Sequence, residues 1–227
     1  MSREQVQQAI QQLALAERET LAKWILESGY ASDHVAEPAR SCATEPDAPT
    51  LSAEEYLKLE AEALTRHEFI GGEMFAMSGV SVTHNLIVGN LVSAFRRHLQ
   101  DGPCKTLFAD VKVRLRADRD DIFYYPDVMI ACGAVDLKTH YVTDPKVVVE
   151  VLSPSTEAID RREKLINYRK IATLEEYALI AQKTSEVILH RRRDRWKPLI
   201  LSDGAALAEF PTLALSLPVA DVYAGVL

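Results

Sequence analysis

Three cysteines, Cys42, Cys104 and Cys132, are too few and too unevenly spaced for a disulfide framework, so the fold is expected to rest on its hydrophobic core. No apolar run approaches the roughly 20 residues that span a bilayer, and the opening MSREQVQQAI is polar, unlike a secretion signal. No membrane partner is expected, and the cytoplasm is the expected compartment. Positive charge is in the minority: 26 Lys and Arg stand against 33 Asp and Glu, a net charge of -7. That argues against a protein that coats nucleic acid by charge alone, but not against an enzyme that meets DNA through a local patch. Four motifs are also missing: a Gly-rich loop ending in Gly-Lys-Ser/Thr, His-Glu-x-x-His, a paired Cys-x-x-Cys and a Gly-x-Ser-x-Gly elbow. The chemistries that need them find no support.

What is present is an ordinary globular composition, 48% hydrophobic and 26% charged, long enough for one substantial domain with a small appendage. Residues 1–30 predict a pair of short amphipathic helices, marked by Val6, Ile10 and Leu13 and then by Leu21, Trp24, Ile25 and Leu26, with Gly29 as terminator. Residues 31–50, rich in Ala, Pro, Ser, Asp and Glu, predict a linker, and 51–227 the main domain. Ser52 with Glu55 three residues on forms a capping box for a helix through Ala63. A hairpin follows around Gly71-Gly72, then a helix from His84 to Leu99, and a strand over 107–116 with Val111, Val113 and Leu115 inward. Strands IFYYPDVMIA and KVVVEVLS, a helix over 157–171, and strands EYALIAQ and SEVILHR complete an α/β (α+β) pattern.

Within KVVVEVLSPST, Glu150 lies in an apolar run that reads as a strand covered on both faces. An ionised carboxylate there needs an ion pair, hydrogen bonds or a metal. Asp127, in Tyr125-Pro126-Asp127-Val128, opens the preceding apolar strand. If the two strands pair, both carboxylates converge at one sheet edge, a donor set that suits Mg²⁺ or Mn²⁺ better than Zn²⁺. A buried ion pair with Arg or Lys is the structural alternative for Glu150, and turn chemistry the alternative for Asp127. Asp160 and Lys164 are four apart on the next helix. Spacing alone predicts an exposed pair worth a few tenths of a kcal/mol, with a Lys164 aimed at Glu150 as the functional alternative. Tyr168 lies one helical turn further and is expected to border the pocket or pack the core. His84 either approaches phosphate at a helix N-terminus or caps that helix. The basic run Arg191 to Lys197 predicts a solvated hairpin with Trp196 beneath, with a nucleic-acid backbone contact as the alternative.

The Pro-Asp pair followed by a glutamate on an apolar strand resembles the PD-(D/E)XK nuclease superfamily. That pattern has a lysine two residues after the acid, where this chain has Leu152. One branch accounts for the departure: residues 52–223 resemble the Uma-type restriction endonuclease family. The resemblance rests on Ser52–Leu57, on Arg66-His67-Glu68-Phe69-Ile70-Gly71-Gly72-Glu73, on VVEVLSPST, and on Asp160-Arg161-Arg162-Glu163-Lys164-Leu165-Ile166-Asn167-Tyr168. It implies a restriction-endonuclease-like central mixed sheet flanked by helices and metal-dependent phosphodiester hydrolysis. It also implies that the superfamily lysine has moved to the helix as Lys164, and that Glu68 is the acid preceding the core motifs.

The expected activity is therefore a Mg²⁺- or Mn²⁺-dependent DNA endonuclease, with Asp127 and Glu150 holding the metal and Lys164 orienting water. The expectation from a different class is a nuclease-fold protein without turnover that binds a partner, its N-terminal helices recruiting another protein. A homodimer would suit the cutting of two strands.

Overall fold

The computed structural model describes residues 50–117, 120–154 and 156–227. The helical pair and linker expected over 1–50 thus lie outside the described residues, Thr50 excepted. Those described belong to one unit, Pro49–Leu227.

Helix α1 (Ala53–Glu62) starts where the capping box puts it: the Ser52 backbone N–H donates to Glu55 at 2.8 Å, and the Glu55 N–H to Ser52 Oγ at 3.2 Å. Strands β1 (His67–Ile70) and β2 (Glu73–Ala76) form the expected hairpin, whose turn residues Gly71 and Gly72 both have positive φ, at 58° and 95°. Helix α2 (Val82–Leu99) begins at the cap residue Ser81.

The stretch expected to be one strand over 107–116 is two. β3 (Cys104–Phe108) ends at Ala109, a non-glycine residue at φ 60°, and β4 (Lys112–Ala117) starts after that turn in another sheet. IFYYPDVMIA likewise divides into β5 (Asp120–Tyr124) and β6 (Val128–Cys132). Pro126 has no N–H to continue a ladder, so the chain leaves one sheet there and enters the other. Asp127 stands at that crossing.

After β7 (Tyr141–Val142) and β8 (Pro145–Val151) comes a helical segment, 157–168, here called α3. It is α-helical over Glu157–Ile159, π-helical over Asp160–Lys164 and α-helical again over Leu165–Tyr168, ending before Ile171. Strands β9 (Glu176–Ile180), β10 (Val187–Arg191) and β11 (Pro198–Leu201) follow, then the pair β12 (Leu207–Phe210) and β13 (Leu215–Pro218), and helix α4 (Val219–Val222).

The larger sheet runs β11-β10-β9-β8-β6-β3, with β8 and β9 parallel and its other neighbours antiparallel; the smaller runs β2-β1-β5-β4-β7. Strand β8 lies between β6 and β9, covered on both faces, as its valines require. Val147, Val149 and Val151 face a core shared with Ile87, Leu91 and Phe95 of α2 and with β12, β13 and α4. Val148 and Leu152 face the opposite way, into a core shared with Val113, Leu115 and Ile122 of the smaller sheet and Tyr168 of α3. The second face of the mixed sheet is thus covered by the smaller sheet together with Tyr168 of α3. Glu150 takes the even-numbered side, between the sheets.

The cysteine expectation fails. Cys104 and Cys132 are directly opposed across β3 and β6 and form a disulfide over a separation of 28 residues. Antiparallel pairing joins what the sequence keeps apart. Among the described residues no helix is long and apolar enough to cross a membrane.

Candidate active site

The register of β6 on β8 pairs Val128 with Val149, so the next step places Asp127 opposite Glu150. Side chains extend the ladder there. The Val151 N–H donates to Asp127 Oδ2 at 2.7 Å, and the Asp127 N–H reaches Glu150 Oε2 at 3.4 Å. His84 Nε2 lies 3.1 Å from the same Asp127 Oδ2. The two sequence-predicted acids are neighbours on paired strand ends.

Lys164 comes from α3. Its Nζ lies 3.3 Å from Glu150 Oε1, 2.9 Å from Glu68 Oε1 and 3.2 Å from Asp160 Oδ1. The π-helical stretch, one extra residue per hydrogen-bonded ring, turns both Asp160 and Lys164 inward; such widened turns recur at functional sites. Tyr168 donates from its hydroxyl to Glu150 Oε1 at 2.9 Å while its ring packs on Tyr124 and Tyr177, so it both borders the site and fills the core. The expectation of an exposed Asp160–Lys164 pair is corrected: the two residues are only 2% and 4% exposed. Glu68, on β1, belongs to the cluster rather than to open surface. His84 does two jobs, its N–H donating to the cap Ser81 at 3.0 Å and its ring contacting Asp127.

Other residues hold the site and were not singled out from the sequence. The Tyr177 hydroxyl donates to the Asp160 carbonyl at 3.0 Å. Asn167 Nδ2 donates to the Tyr124 hydroxyl at 2.8 Å, and that hydroxyl lies 3.1 Å from Glu163. Ser81 Oγ donates to Gln182 Oε1 at 2.7 Å, and Gln182 donates to the Leu152 carbonyl at 2.8 Å, tying the start of α2 to the end of β8. Ser81 could be read as a helix cap; the long-range partner of a Gln cannot be read from one sequence.

Three carboxylates, from Glu68, Glu150 and Asp160, surround one ammonium, and Asp127 lies beside Glu150. Burial, together with Asp160, Asp127 and Glu68, holds the Glu150 carboxyl well above its ordinary value, against the pull of Lys164. Lys164 is pushed the same way for the opposite reason: burial opposes its charge, but Glu150, Glu68 and Asp160 outweigh burial and keep it protonated. Burial and the nearby Glu150 raise the Tyr168 hydroxyl well above its usual range. The cluster carries more negative charge than it neutralises.

The first two residues of the basic run at 191–197 serve structure, while Arg193, Arg195 and Lys197 are exposed. Arg191 donates to the Glu209 carbonyl at 2.9 Å, and Arg192 to the carbonyls of Leu174 and Ile171 at 2.7 and 2.6 Å while lying over Trp196.

Two acids at paired strand ends of the mixed sheet thus face a lysine brought in by α3. The fold has a solved counterpart: a crystal structure described as "a putative nuclease belonging to DUF820", from Anabaena variabilis ATCC 29413, superposes with a TM-score of 0.64 over 77% of this chain and 98% of its own, at 18% identity. The chain matches the family described as "Uma2: Putative restriction endonuclease" over residues 53–220, and it belongs to that family. Two proteins of Synechocystis sp. (strain ATCC 27184 / PCC 6803 / Kazusa) are similar in sequence. "Uncharacterized protein slr1290" is 36% identical over 78% of this chain and 93% of its own length, and "Uncharacterized protein sll1609" is 35% identical over 58% and 75%.

Proposed function

We propose that this protein is a metal-dependent endonuclease that hydrolyses phosphodiester bonds in DNA. The observation that carries the reading is Lys164, an ammonium from α3 seated against Glu150 and Glu68 one strand away from Asp127. The family description and that of the crystallised relative both name a nuclease, which supports it.

Among the described residues no three His, Cys, Asp or Glu side chains form a ready metal cage. The donor chemistry nevertheless fits a hard dication: all oxygen, two acids on neighbouring strand ends, and a negative surplus. Mg²⁺ keeps several waters and uses one or two carboxylates, so Asp127 and Glu150 suffice to hold it. Such an ion would supply Lewis-acid polarisation of the scissile phosphate and acidify a water. The chain's own groups do the rest. Lys164 holds the attacking water and offsets charge on the phosphate oxygens. Tyr168 and Lys164 fix the Glu150 carboxylate, and His84 fixes Asp127. Asp160 and Glu68 hold the ammonium in place.

The test is cleavage of plasmid and single-stranded DNA with Mg²⁺, Mn²⁺ or EDTA, with Glu150→Ala as control. Cleavage in either metal, abolished by EDTA and by the substitution, is the expected result. No cleavage of either substrate in either metal would overturn the proposal.

A further inference from the structure

Beside the carboxylates lies a cleft of about 400 Å³, within the roughly 300–1,000 Å³ of small-ligand sites. Asp127 and His84 form its inner end. Val88, Gly89 and Val92 of α2 line one wall, and Met77, Val80 and Phe108 are apolar lining residues that stand substantially exposed. Phe108 is 40% exposed at the last position of β3, opposite Val128, the residue after Asp127.

Gly89 sits in the middle of α2, where glycine is a poor helix residue. Nothing packed inside the protein calls for it: a Cβ added there would meet no atom within 4 Å. The missing side chain leaves room in the cleft itself. Arg66 adds a cation to the lining; it donates to the Ala63 carbonyl at 3.5 Å and is ion-paired with the exposed Asp110 at 3.3 Å, a surface pair weak enough to exchange for a phosphate.

Charge makes the same point from outside. The net charge is -7, and Arg191 and Arg192 are engaged by backbone carbonyls, so charge alone is a weak source of affinity for a nucleic acid, although Arg193, Arg195 and Lys197 stand exposed. Stacking of a base on an aromatic ring is the alternative source, and it requires an unpaired base. Resting on the nuclease reading, we propose that the cleft between α2 and Phe108 seats an unpaired nucleobase of the substrate beside the scissile phosphate, making single-stranded nucleic acid the preferred substrate.

The test is fluorescence anisotropy with a labelled single strand, the same sequence as a duplex, and the single strand carrying abasic residues, each in Mg²⁺ and in EDTA. Wild type is compared with Gly89→Leu, which fills the cleft from a helix position that tolerates leucine, and with Phe108→Ala. Cleavage of the two intact substrates in Mg²⁺ is followed alongside, and melting temperatures report the fold. The single strand should bind about tenfold more tightly than duplex, the order of effect that one base–aromatic stack produces. Abasic residues and either substitution should remove that advantage without lowering the melting temperature of Gly89→Leu. Equal affinity for duplex and single strand, or full single-strand affinity in both variants, would overturn the base seat, and cleavage of both substrates would leave the nuclease reading standing. Neither binding nor cleavage of any nucleic acid would overturn both.

Discussion

Two buried lysines in this protein have opposite fates. Lys164 sits among three carboxylates at 2.9, 3.2 and 3.3 Å and is held protonated. Lys112, nearly as buried, donates to the neutral hydroxyl of Tyr125 at 3.2 Å, and burial pushes its pKa down against a weaker pull from Glu60. The acid near Lys112 is already satisfied: Glu60 accepts from the His67 N–H at 2.9 Å and from Tyr125 at 2.7 Å, and its other oxygen lies 3.0 Å from the His67 ring. One cluster balances its charge among neutral and paired groups. The other gathers three acids around a single cation. Burial alone therefore does not distinguish the two lysines; the company of carboxylates does.

Removing the cation from each cluster should separate them most widely. Lys164→Met leaves the buried Glu150 and Asp160 and the half-buried Glu68 with no counter-ion, and the loss of one partner from a buried ion cluster costs about 3–5 kcal/mol. Lys112→Met removes a buried charge that has no carboxylate within ion-pair distance among the described residues, and should change stability by less than about 1 kcal/mol. Urea midpoints read the difference, and cleavage should be lost only in Lys164→Met. A Lys164→Met protein as stable as wild type would mean that its carboxylates protonate freely, and the contrast between the clusters would collapse.

Neutralising an acid sharpens the contrast from the other side. Glu150→Gln keeps an oxygen for Lys164 and Tyr168 but removes one charge from a surplus, so without divalent metal its melting temperature should exceed that of wild type. Added Mg²⁺ should reverse the order. A ligand at a hundredfold its Kd stabilises by about 2.7 kcal/mol, and only the protein retaining both acids should respond fully. A wild-type melting temperature indifferent to Mg²⁺ and Mn²⁺ would break the metal reading whatever the cleavage assay shows.

How much of this was legible without coordinates depends on distance along the chain. Glu150 advertised itself, because a carboxylate within valines demands a partner. Asp127 followed from its place before an apolar run, and the pairing of the two strands supplied the convergence. Local signals held as well: the Ser52 capping box and the hairpin at Gly71-Gly72 are set by residues within a few positions of one another. What failed was longer in range. Two continuous strands were expected where the chain changes sheets, at Ala109 and at Pro126, because apolar alternation runs through both turns. The spacing of Asp160 and Lys164 gave their common face but not its burial, which the smaller sheet closing over α3 decides. Cys104 and Cys132 looked unrelated for the same reason: only the register of β3 on β6 brings them together.

A third buried acid gives the smallest and most pH-specific test of the rule. Glu176, on β9 and 2% exposed, accepts from the N–H and the hydroxyl of Thr212 at 3.1 and 2.8 Å, while its Oε2 has no partner among the described residues. Burial raises its pKa from the ordinary 4.5; the Thr212 bonds offset part of the rise, Glu175 adds to it and the Arg191 charge opposes it. The sign follows from linkage. A carboxyl whose pKa is higher folded than unfolded favours the fold fully below the unfolded value and loses that contribution as pH rises through the folded one. Glu176→Gln should therefore raise the melting temperature at pH above the folded value, with the gain shrinking as pH falls through that value towards 4.5 and absent below it. Thermal melts of both proteins across that range decide it. A gain independent of pH would point to packing, and destabilisation at neutral pH would show that the Arg191 charge, although outside ion-pair range, offsets that of Glu176.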